Sequence, residues 1–282
     1  MRTDASSKSQ LMVRHTYSPA ALLRGAVAHH ALIWQMITRE IATRYQGTFL
    51  GLAWALITPL LLLGIYTFVF SGIFKARWPG GENHLDFAFA LFVGMILHAF
   101  FAECVNRAPS LILGNPNYVK KVVFPLDALP WISLGSALAQ LFVSYLVLLA
   151  AVLIIHGQLP LTCLLFPLVV LPLVLVALGI SWMLAATSVF LRDLGQITGF
   201  LNTALLFLSP IFYPLSALPQ NIQPLAMANP LTFIIEQSRN VILQGQLPDF
   251  QGWAIYLALS LLVAWLGYAW FQKLRNGFAD VI

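Results

Sequence analysis

The stretch ALPWISLGSALAQLFVSYLVLLAAVLIIHGQLPLTCLLFPLVVLPLVLVALGISWMLAATSVFL, from Ala128 to Leu191, contains no Asp, Glu, Lys or Arg. A charge at the centre of a bilayer costs about 2.5–3.5 kcal/mol on insertion scales, so long charge-free apolar stretches are typical of membrane-spanning segments. Four further charge-free stretches occur at 46–74, 87–102, 194–235 and 250–272. The sequence therefore predicts an all-α membrane protein that crosses the bilayer several times.

The length of these stretches determines the number of spans. A helix needs about 20 residues to cross a hydrocarbon core of about 30 Å, so Ala128–Leu191 is long enough for two spans. The residues His156-Gly157-Gln158-Leu159-Pro160 mark the division between them. The same reasoning along the whole chain predicts six transmembrane helices, at approximately 50–73, 87–105, 129–155, 161–189, 197–213 and 251–271.

The composition excludes a soluble domain. Hydrophobic residues make up 60% of the chain, charged residues make up 9%, and the mean hydropathy is +0.83. A soluble domain carries about 25% charged residues. The two cysteines, Cys104 and Cys163, have no metal-binding or redox spacing. The net charge of +5 does not indicate nucleic-acid binding, because the cations follow the membrane topology rather than forming a basic stripe.

Lys and Arg are unevenly distributed between the connections of the predicted spans. Twelve of them lie in the N-terminal tail, the loop after span two, the turn after span four and the C-terminus, and three lie on the opposite side. Because cytoplasmic loops carry the excess of Lys and Arg, both termini are predicted to be cytoplasmic. Residues 1–48 then form a cytoplasmic tail and interface helix, and residues 49–282 form a single transmembrane domain in the cytoplasmic (inner) membrane.

The segment His30–Thr48 has the pattern of an N-terminal amphipathic helix. One side of a helical wheel carries the apolar and aromatic residues Ile33, Trp34, Ile37, Ile41 and Tyr45, and polar residues lie opposite. Such a helix lies in the cytoplasmic interface, with Trp34 and Tyr45 at headgroup depth. It is either a simple anchor before the first span or a docking surface for a cytoplasmic partner.

The predicted cytoplasmic loop 106–128 contains a strong turn signal, Gly114-Asn115-Pro116-Asn117. Asn117 is placed to cap a short helix that Pro125 ends. A preformed helix in a loop of this length suits force transmission from another subunit. Alternatively, Lys120 and Lys121 only enforce the orientation of the protein in the membrane.

The segment 214–250 is apolar, yet prolines interrupt it at short intervals. Asn229-Pro230 predicts a helix start, with Asn229 as cap, and this helix runs to about Leu243. Glu236 and Arg239 are spaced to pair at i,i+3. The segment is too short to cross the membrane twice, so it predicts re-entrant extracytoplasmic helices between spans five and six. It is a candidate outer gate, and a merely structural cap is the alternative.

The sequence offers no candidate catalytic residue or metal site. It has no GxxxxGK[ST] loop for nucleotide phosphates. Apart from His98 and His156, the predicted spans carry no ionisable residue near their middle, whereas ion-coupled transporters use midplane carboxylates or unwound helices. The energy for any transport by this chain must therefore come from elsewhere.

Several short motifs occur in a specific order. They are Leu32–Glu40 with Arg44–Gly47, Lys120–Pro125, Val189–Leu194, Ser209–Pro214 with Asn229-Pro230-Leu231, and Phe278-Ala279-Asp280. Together they resemble the interface helix, coupling region, turn after span four, outer gate and cytoplasmic tail of one family. This family comprises the membrane (permease) subunits of ABC-type polysaccharide exporters, the Wzm, KpsM and TagG group. The resemblance covers most of the chain and is strongest to the Wzm-type O-antigen exporters.

This resemblance implies that the chain forms the channel of an ATP-driven exporter for a lipid-linked, O-antigen-like polysaccharide. It implies a homodimer with two copies of a cytoplasmic ABC ATPase, which holds ATP and Mg²⁺, while this chain is not an enzyme and binds no cofactor. Capsule, teichoic acid and a small lipid or drug are alternative substrates. A membrane-embedded enzyme of envelope glycan synthesis is the alternative from another class.

The resemblance also assigns site residues. The residues expected to couple to the partner ATPase are Trp34, Arg39, Arg44, Asn117, Tyr118, Lys120, Lys121 and Val122. The residues expected in the outer gate or channel are Pro210, Phe212, Tyr213, Pro214, Asn229, Pro230, Glu236 and Arg239.

Overall fold

The computed structural model describes residues 24–25, 27–75, 78, 84–120 and 124–282, and the regular structure in these ranges is helical throughout. In chain order the α-helices are α1 (His30–Tyr45), α2 (Trp54–Tyr66), α3 (His84–Arg107), α4 (Ser110–Leu113), α5 (Pro116–Lys120), α6 (Ala128–His156), α7 (Phe166–Ser188), α8 (Leu194–Leu208), α9 (Gln223–Met227), α10 (Thr232–Ile242), α11 (Phe250–Arg275) and α12 (Phe278–Val281). Single 3₁₀ turns precede α2, α7 and α9, and a π-helical segment, Thr67–Ile73, continues α2.

Among the described residues, five helical segments are long and apolar enough to cross a membrane. They are Gly51–Ile73, Leu85–Arg107, Ala128–His156, Leu161–Ser188 and Phe250–Arg275, and they confirm five of the six predicted spans.

The predicted fifth span is wrong in its extent. The helix α8 ends at Leu208 rather than at residue 213, and its 15 residues measure about 22 Å. The reason is Pro210, because a residue that precedes proline is driven out of the helical region, and Ser209 is extended (φ −84°, ψ 149°). The helix alone is shorter than a hydrocarbon core of about 30 Å. A sixth crossing would therefore need the non-helical residues after Leu208.

The core of the bundle lies among α3, α6, α7 and α11, and α7 and α11 form its tightest pair. A Cβ atom added to Gly267 would lie 2.1 Å from the carbonyl oxygen of Gly179, and one added to Gly179 would lie 2.6 Å from that of Val263. Glycine at both positions lets the two backbones touch, as small residues do at helix interfaces in membranes. Beside this contact the fully buried Trp182 meets Trp131 and Tyr268 edge-on.

Two prolines inside spanning helices each leave one carbonyl without its usual helical donor. A proline at position i removes the hydrogen bond to the carbonyl of residue i−4. Pro59 in α2 therefore frees the carbonyl of Ala55, which accepts from Gln140 Nε2 at 3.1 Å. Pro172 in α7 frees the carbonyl of Leu168, which accepts from Trp253 Nε1 at 2.9 Å. A side chain of a neighbouring helix thus replaces the missing donor in both cases.

The connections gather at two opposite ends of the bundle. One end carries α1, α4, α5, the 189–193 turn and α12, and we call it the basic end because Arg39, Arg107 and Lys120 lie there. The other carries residues 156–160 and the α8–α11 segment, residues 209–249, and we call it the Arg239 end. His156 Nε2 lies 2.9 Å from Asp86 Oδ1 at this end, which joins the end of α6 to the start of α3.

The hydrogen bond from Trp253 to the carbonyl of Leu168, which Pro172 leaves without its helical donor, can be tested with a double-mutant cycle. Trp253→Phe should destabilise the protein by about 0.6 kcal/mol, the average for hydrogen bonds between membrane helices, and by no more than about 1.7 kcal/mol, the largest value. In a Pro172→Ala background the restored backbone N–H of residue 172 donates to the carbonyl of Leu168. Trp253→Phe should then lower the free energy of unfolding by clearly less. Unfolding in mixed micelles gives the coupling free energy.

The matched control for this cycle is Trp270→Phe. The Nε1 of Trp270 donates to Thr187 Oγ1 at 3.0 Å, far from the proline, so this change should show no coupling to Pro172→Ala. Equal costs of Trp253→Phe in both backgrounds would contradict the interpretation.

Candidate functional site

The chain turns sharply after α8, and polar side chains hold this turn in place. Ser209 Oγ donates to the carbonyl of Leu205 at 2.6 Å and accepts from Asn229 Nδ2 at 2.8 Å. The next residues descend onto α3, where Ile211 is fully buried. Gly94 makes room for Ile211, because a Cβ atom added to Gly94 would lie 3.3 Å from the Cα of Ile211. The α8–α11 segment is therefore seated directly on the second long helix.

Arg239 joins this turn to α3. Its Nε donates to the carbonyl of Ala90 at 2.9 Å, its Nη1 to that of Pro210 at 2.7 Å, and its Nη2 to that of Ile211 at 3.0 Å. The carbonyls of Pro210 and Ile211 lie outside any helix, so they need donors from elsewhere. The side chain of Arg239 is 1% exposed. One buried guanidinium thus connects α10, α3 and the turn.

The charge of Arg239 is balanced locally. Nη1 lies 2.9 Å from Glu236 Oε1, which confirms the predicted i,i+3 pair, and the guanidinium stands 4.4 Å from the centre of the Trp78 ring. Desolvation lowers the pKa of Arg239 to about 10, although the nearby Glu236 carboxylate opposes this shift. The side chain therefore stays charged at neutral pH and remains a donor of several strong hydrogen bonds.

The other predicted gate residues surround the same turn. Phe212 stacks on Phe207 at 5.9 Å, and the hydroxyl of Tyr213 donates to the carbonyl of Phe207 at 3.1 Å. The carbonyl of Pro230 accepts from the hydroxyl of Tyr256. Pro214 is extended and precedes the 3₁₀ turn Leu215–Ala217.

The predicted cap at Asn229 is wrong in its position. The helix α10 begins at Thr232, and Asn229 Oδ1 accepts from the backbone N–H of Leu231 at 2.9 Å, before the first helical residue. Asn229 therefore forms a local turn that leads into the helix rather than capping it. The end of the helix at Ile242, before Gly245 with its φ of +67°, agrees with the predicted end near Leu243.

At the basic end, ion pairs fasten α1 to α3. Arg44 pairs with Glu103, and its Nη2 also donates to Ser136 Oγ at 2.8 Å. Arg107 pairs with Glu40 and lies 3.2 Å from Glu103 Oε1. Two arginines thus share two carboxylates. Arg44, one of the residues predicted to couple to a partner protein, thus also contacts its own chain.

The two aromatic residues of α1 point in different directions. The hydroxyl of Tyr45 donates to Gln140 Oε1 at 2.9 Å, so Tyr45 faces the bundle. Trp34 is 68% exposed, whereas Ile33 and Ile37 pack against the core. The stripe of α1 that packs against the bundle is therefore narrower than its apolar face, and it leaves Trp34 exposed, which is compatible with the predicted position at headgroup depth. Trp34 and Arg39 are the predicted coupling residues on the open side of α1.

The predicted coupling helix is present as α5. It begins at Pro116, so Asn117 is a helical residue and not the cap. Tyr118 is half-buried and stacks on Phe124 at 4.5 Å, whereas Asn117 and Lys120 are exposed. Lys121 and Val122 lie outside the described residues. The C-terminal helix α12 packs beside α5, with Phe278 fully buried between Phe190 and Phe271.

Reasoning from the sequence missed three residues that organise these sites. Gln140 contacts both Tyr45 and the carbonyl freed by Pro59. Glu103 receives two arginines, and Trp78 covers the Arg239 guanidinium. The i,i+4 spacing of Glu103 and Arg107 and the lone amide of Gln140 within an apolar span were available signals. Among the described residues, no three His, Cys, Asp or Glu side chains are grouped to hold a metal ion.

Comparison with known families places residues 31–243 in one family model, described as ABC-2 type transporter. The matched region begins in α1 and ends just after α10. It therefore includes the α1 network, α5 and the Arg239 contacts.

Individual relatives match over nearly their whole length. The chain is 30% identical over 264 residues to an O-antigen export system permease protein RfbA of Myxococcus xanthus, covering 93% of this chain and 99% of the relative. It is 23% identical over 255 residues to the protein of the same name in Klebsiella pneumoniae, covering 89% of this chain and 95% of the relative. It is 24% identical over 253 residues to the polysialic acid transport protein KpsM of Escherichia coli, covering 84% of this chain and 91% of the relative.

The Arg239 contacts predict an unequal pair of substitutions. Arg239→Met leaves the carbonyls of Pro210 and Ile211 buried without donors, and each such loss costs about 1–3 kcal/mol. Glu236→Gln keeps an oxygen acceptor for Nη1 and removes only the charge of a partner that is 29% exposed, so it should cost less than the loss of the donors to two buried carbonyls. We therefore expect Arg239→Met to lower the melting temperature of the purified protein strongly and to expose the 209–231 region to protease. Similar melting temperatures and cleavage patterns for the two variants would show that Arg239 does not hold the turn.

Proposed function

The chain belongs to the ABC-2 type transporter family, and from this premise we propose that it is the membrane subunit of an ATP-driven exporter for a lipid-linked polysaccharide, specifically an O-antigen-like polymer. The observation that carries the proposal is the end-to-end relationship to an O-antigen export system permease, which covers 93% of this chain and 99% of the relative. The relationship to a polysialic acid transport protein supports a polysaccharide substrate and keeps capsule as the second candidate.

The packing of the bundle supports a channel built from two copies of the chain. Most of α3 is buried among its neighbours, so the centre of a single chain is filled by side chains. In contrast, α8 and the π-helical segment that continues α2 expose large apolar side chains, including Phe68 (67%), Phe200 (75%) and Phe207 (62%). A polymer pathway fits between the exposed helices of two copies better than through the packed core of one.

The basic end is the proposed contact surface for two copies of a separate cytoplasmic ATPase, which would hold ATP and Mg²⁺. The excess of Lys and Arg at this end supports a cytoplasmic location, with both termini inside and the chain in the inner membrane. Trp34, Arg39, Asn117 and Lys120 present exposed side chains there. Because α5 packs against α12, and Phe278 of α12 contacts Phe190 and Phe271, a displacement of α5 would reach the end of α7 and α11 through α12.

The Arg239 end would then face outward, and we propose that the α8–α11 segment is the outer gate. Arg239 binds the carbonyls of this segment and also donates to the carbonyl of Ala90 in α3, so the segment would open by moving together with α3 rather than by unfolding. A structural cap remains the alternative function of this segment.

The export function is tested by deleting the gene and restoring it on a plasmid. Without the chain, finished polysaccharide should accumulate inside the cell and disappear from the surface, and gel analysis of the two fractions measures both. Restoration with the intact gene is the control for effects on neighbouring genes. Surface polymer that persists would point to a small lipid or drug as the substrate, and absence of polymer from both fractions would point to an enzyme.

The coupling surface is tested by reversing a charge on α5. Lys120→Glu leaves the Tyr118–Phe124 stack untouched, so the protein should insert and fold normally. We expect export by the restored strain to fall while the purified complex still hydrolyses ATP. Lys75→Glu makes the same charge change at the Arg239 end, on a residue that is also exposed, and should leave export unchanged. Normal export with Lys120→Glu would place the coupling contact elsewhere.

A further inference from the structure

A cavity of about 290 Å³ lies between α1, α2, α3 and α6, within a single copy of the chain. Each helix contributes to its wall: Tyr45 from α1, Leu62 from α2, Ile96 from α3 and Leu141 from α6. The cavity is separate from the α8–α11 segment and from the exposed side of α5. Neither the Arg239 contacts nor the proposed coupling surface accounts for it.

The cavity has the depth of one membrane leaflet. Along α3 its lining runs from Phe92 to Glu103, which is about 16 Å of helix axis. The hydrocarbon core of a bilayer is about 30 Å thick, so this length reaches from the basic end to about the midplane. Glu103 lies near the basic end of α3, and Phe92 lies near its middle.

The polarity of the lining changes along this length. Arg44 pairs with Glu103 at the basic end, and the Tyr45 hydroxyl donates to Gln140 Oε1, about one turn of α6 beyond Ser136. Deeper in the membrane the lining is mostly apolar, with Leu62 and Phe92 among its side chains. The change follows the polarity of a membrane lipid, with its polar headgroup at the interface and its hydrocarbon chain toward the midplane.

The apolar part of the cavity is large enough to be filled by hydrocarbon. An engineered apolar cavity of about 150 Å³ in a soluble protein stays free of water and binds benzene. The cavity here is larger, and its α2 wall is one helix thick, with Leu61 (56% exposed) and Ile65 (54% exposed) on the outer surface. In a bilayer the surrounding solvent is lipid chains, which are therefore the available occupant.

The polar end offers hydrogen-bond donors for a phosphate. The two hydrogen bonds that Arg44 makes among the described residues both leave its Nη2 atom, so the N–H groups of Nε and Nη1 remain as donors for a ligand. A guanidinium forms paired, charge-assisted hydrogen bonds with phosphate oxygens. Because Arg44 and Arg107 share Glu40 and Glu103, the local charge is balanced, and hydrogen-bond geometry rather than net charge would hold the phosphate.

We propose that this cavity binds one glycerophospholipid of the leaflet at the basic end. One acyl chain lies against Leu62, Phe92 and Ile96, and the phosphate accepts hydrogen bonds from Arg44. The lipid joins α2 to α3 and α6 along the leaflet in which these helices are separated by the cavity.

The proposal can be tested by replacing a small residue that lines the cavity with a larger one, whose side chain then fills the space. Ala99 lines the cavity and its side chain is accessible. Ala99→Phe occupies the space of the chain, and Ala99→Leu does so with less steric demand. Ala258→Phe adds the same ring to an exposed position on α11 and is the matched control. The full-length chain, with any co-purifying subunits, is reconstituted into nanodiscs of phosphatidylethanolamine and phosphatidylglycerol, extracted in mild detergent and measured by native mass spectrometry.

We expect one phospholipid per chain to remain on the unaltered protein and on Ala258→Phe, and to be lost from both Ala99 variants. If Ala99→Phe does not fold, Ala99→Leu with an unchanged melting temperature decides the question. Retention of the phospholipid by a folded Ala99 variant would overturn the proposal. A retained mass that corresponds to an isoprenoid phosphate, or to detergent alone, would overturn it as well.

Discussion

Backbone carbonyls that lie within the membrane and lack a helical donor are the constraint on which this structure depends. Hydrocarbon offers no hydrogen-bond donor, so each such carbonyl must find one within the protein. Pro59 and Pro172 each free a carbonyl inside a span, and Gln140 and Trp253 satisfy them from neighbouring helices. The donor side chain fixes which helix lies beside the proline and at what height. The two prolines therefore determine contacts between helices as well as the shape of their own helices.

The same constraint explains why an arginine is buried at the Arg239 end. The turn after α8 brings non-helical carbonyls against α3, and a guanidinium can serve several of them at once in one plane. A neutral side chain has fewer donors, and lysine lacks the planar arrangement. The cost of desolvating the charge is offset by Glu236 and by the Trp78 ring. Arg239 thus contributes mainly through the backbone it binds, whatever the segment does during transport.

The long spans were predictable from the sequence because charged residues are excluded from the membrane interior, so nearly every position of a span is uncharged and most are apolar. The Glu236–Arg239 pair was also predictable, since i,i+3 neighbours on a helix must meet. The acceptors of Arg239 were not predictable, because every residue has a backbone carbonyl and residue types do not indicate which carbonyls lie near a given side chain. The boundary of the fifth predicted span at residue 213 was placed too late, because the apolar pattern continues past Pro210 whereas that proline already ends the helix at Leu208.

The hydrogen bonds between helices also indicate which parts can move independently. Asn202 fastens α8 to α3 twice, through its carbonyl to His98 Nε2 at 3.0 Å and through its Nδ2 to Asn106 Oδ1 at 2.7 Å. Together with the Arg239 contacts, these bonds join α3, α8 and α10 into one unit. The helix α2 is mostly exposed and continues into the π-helical segment Thr67–Ile73, a geometry often found at functional positions. Because the cavity lies behind α2, whatever fills it sets how firmly this helix is held against the rest of the bundle.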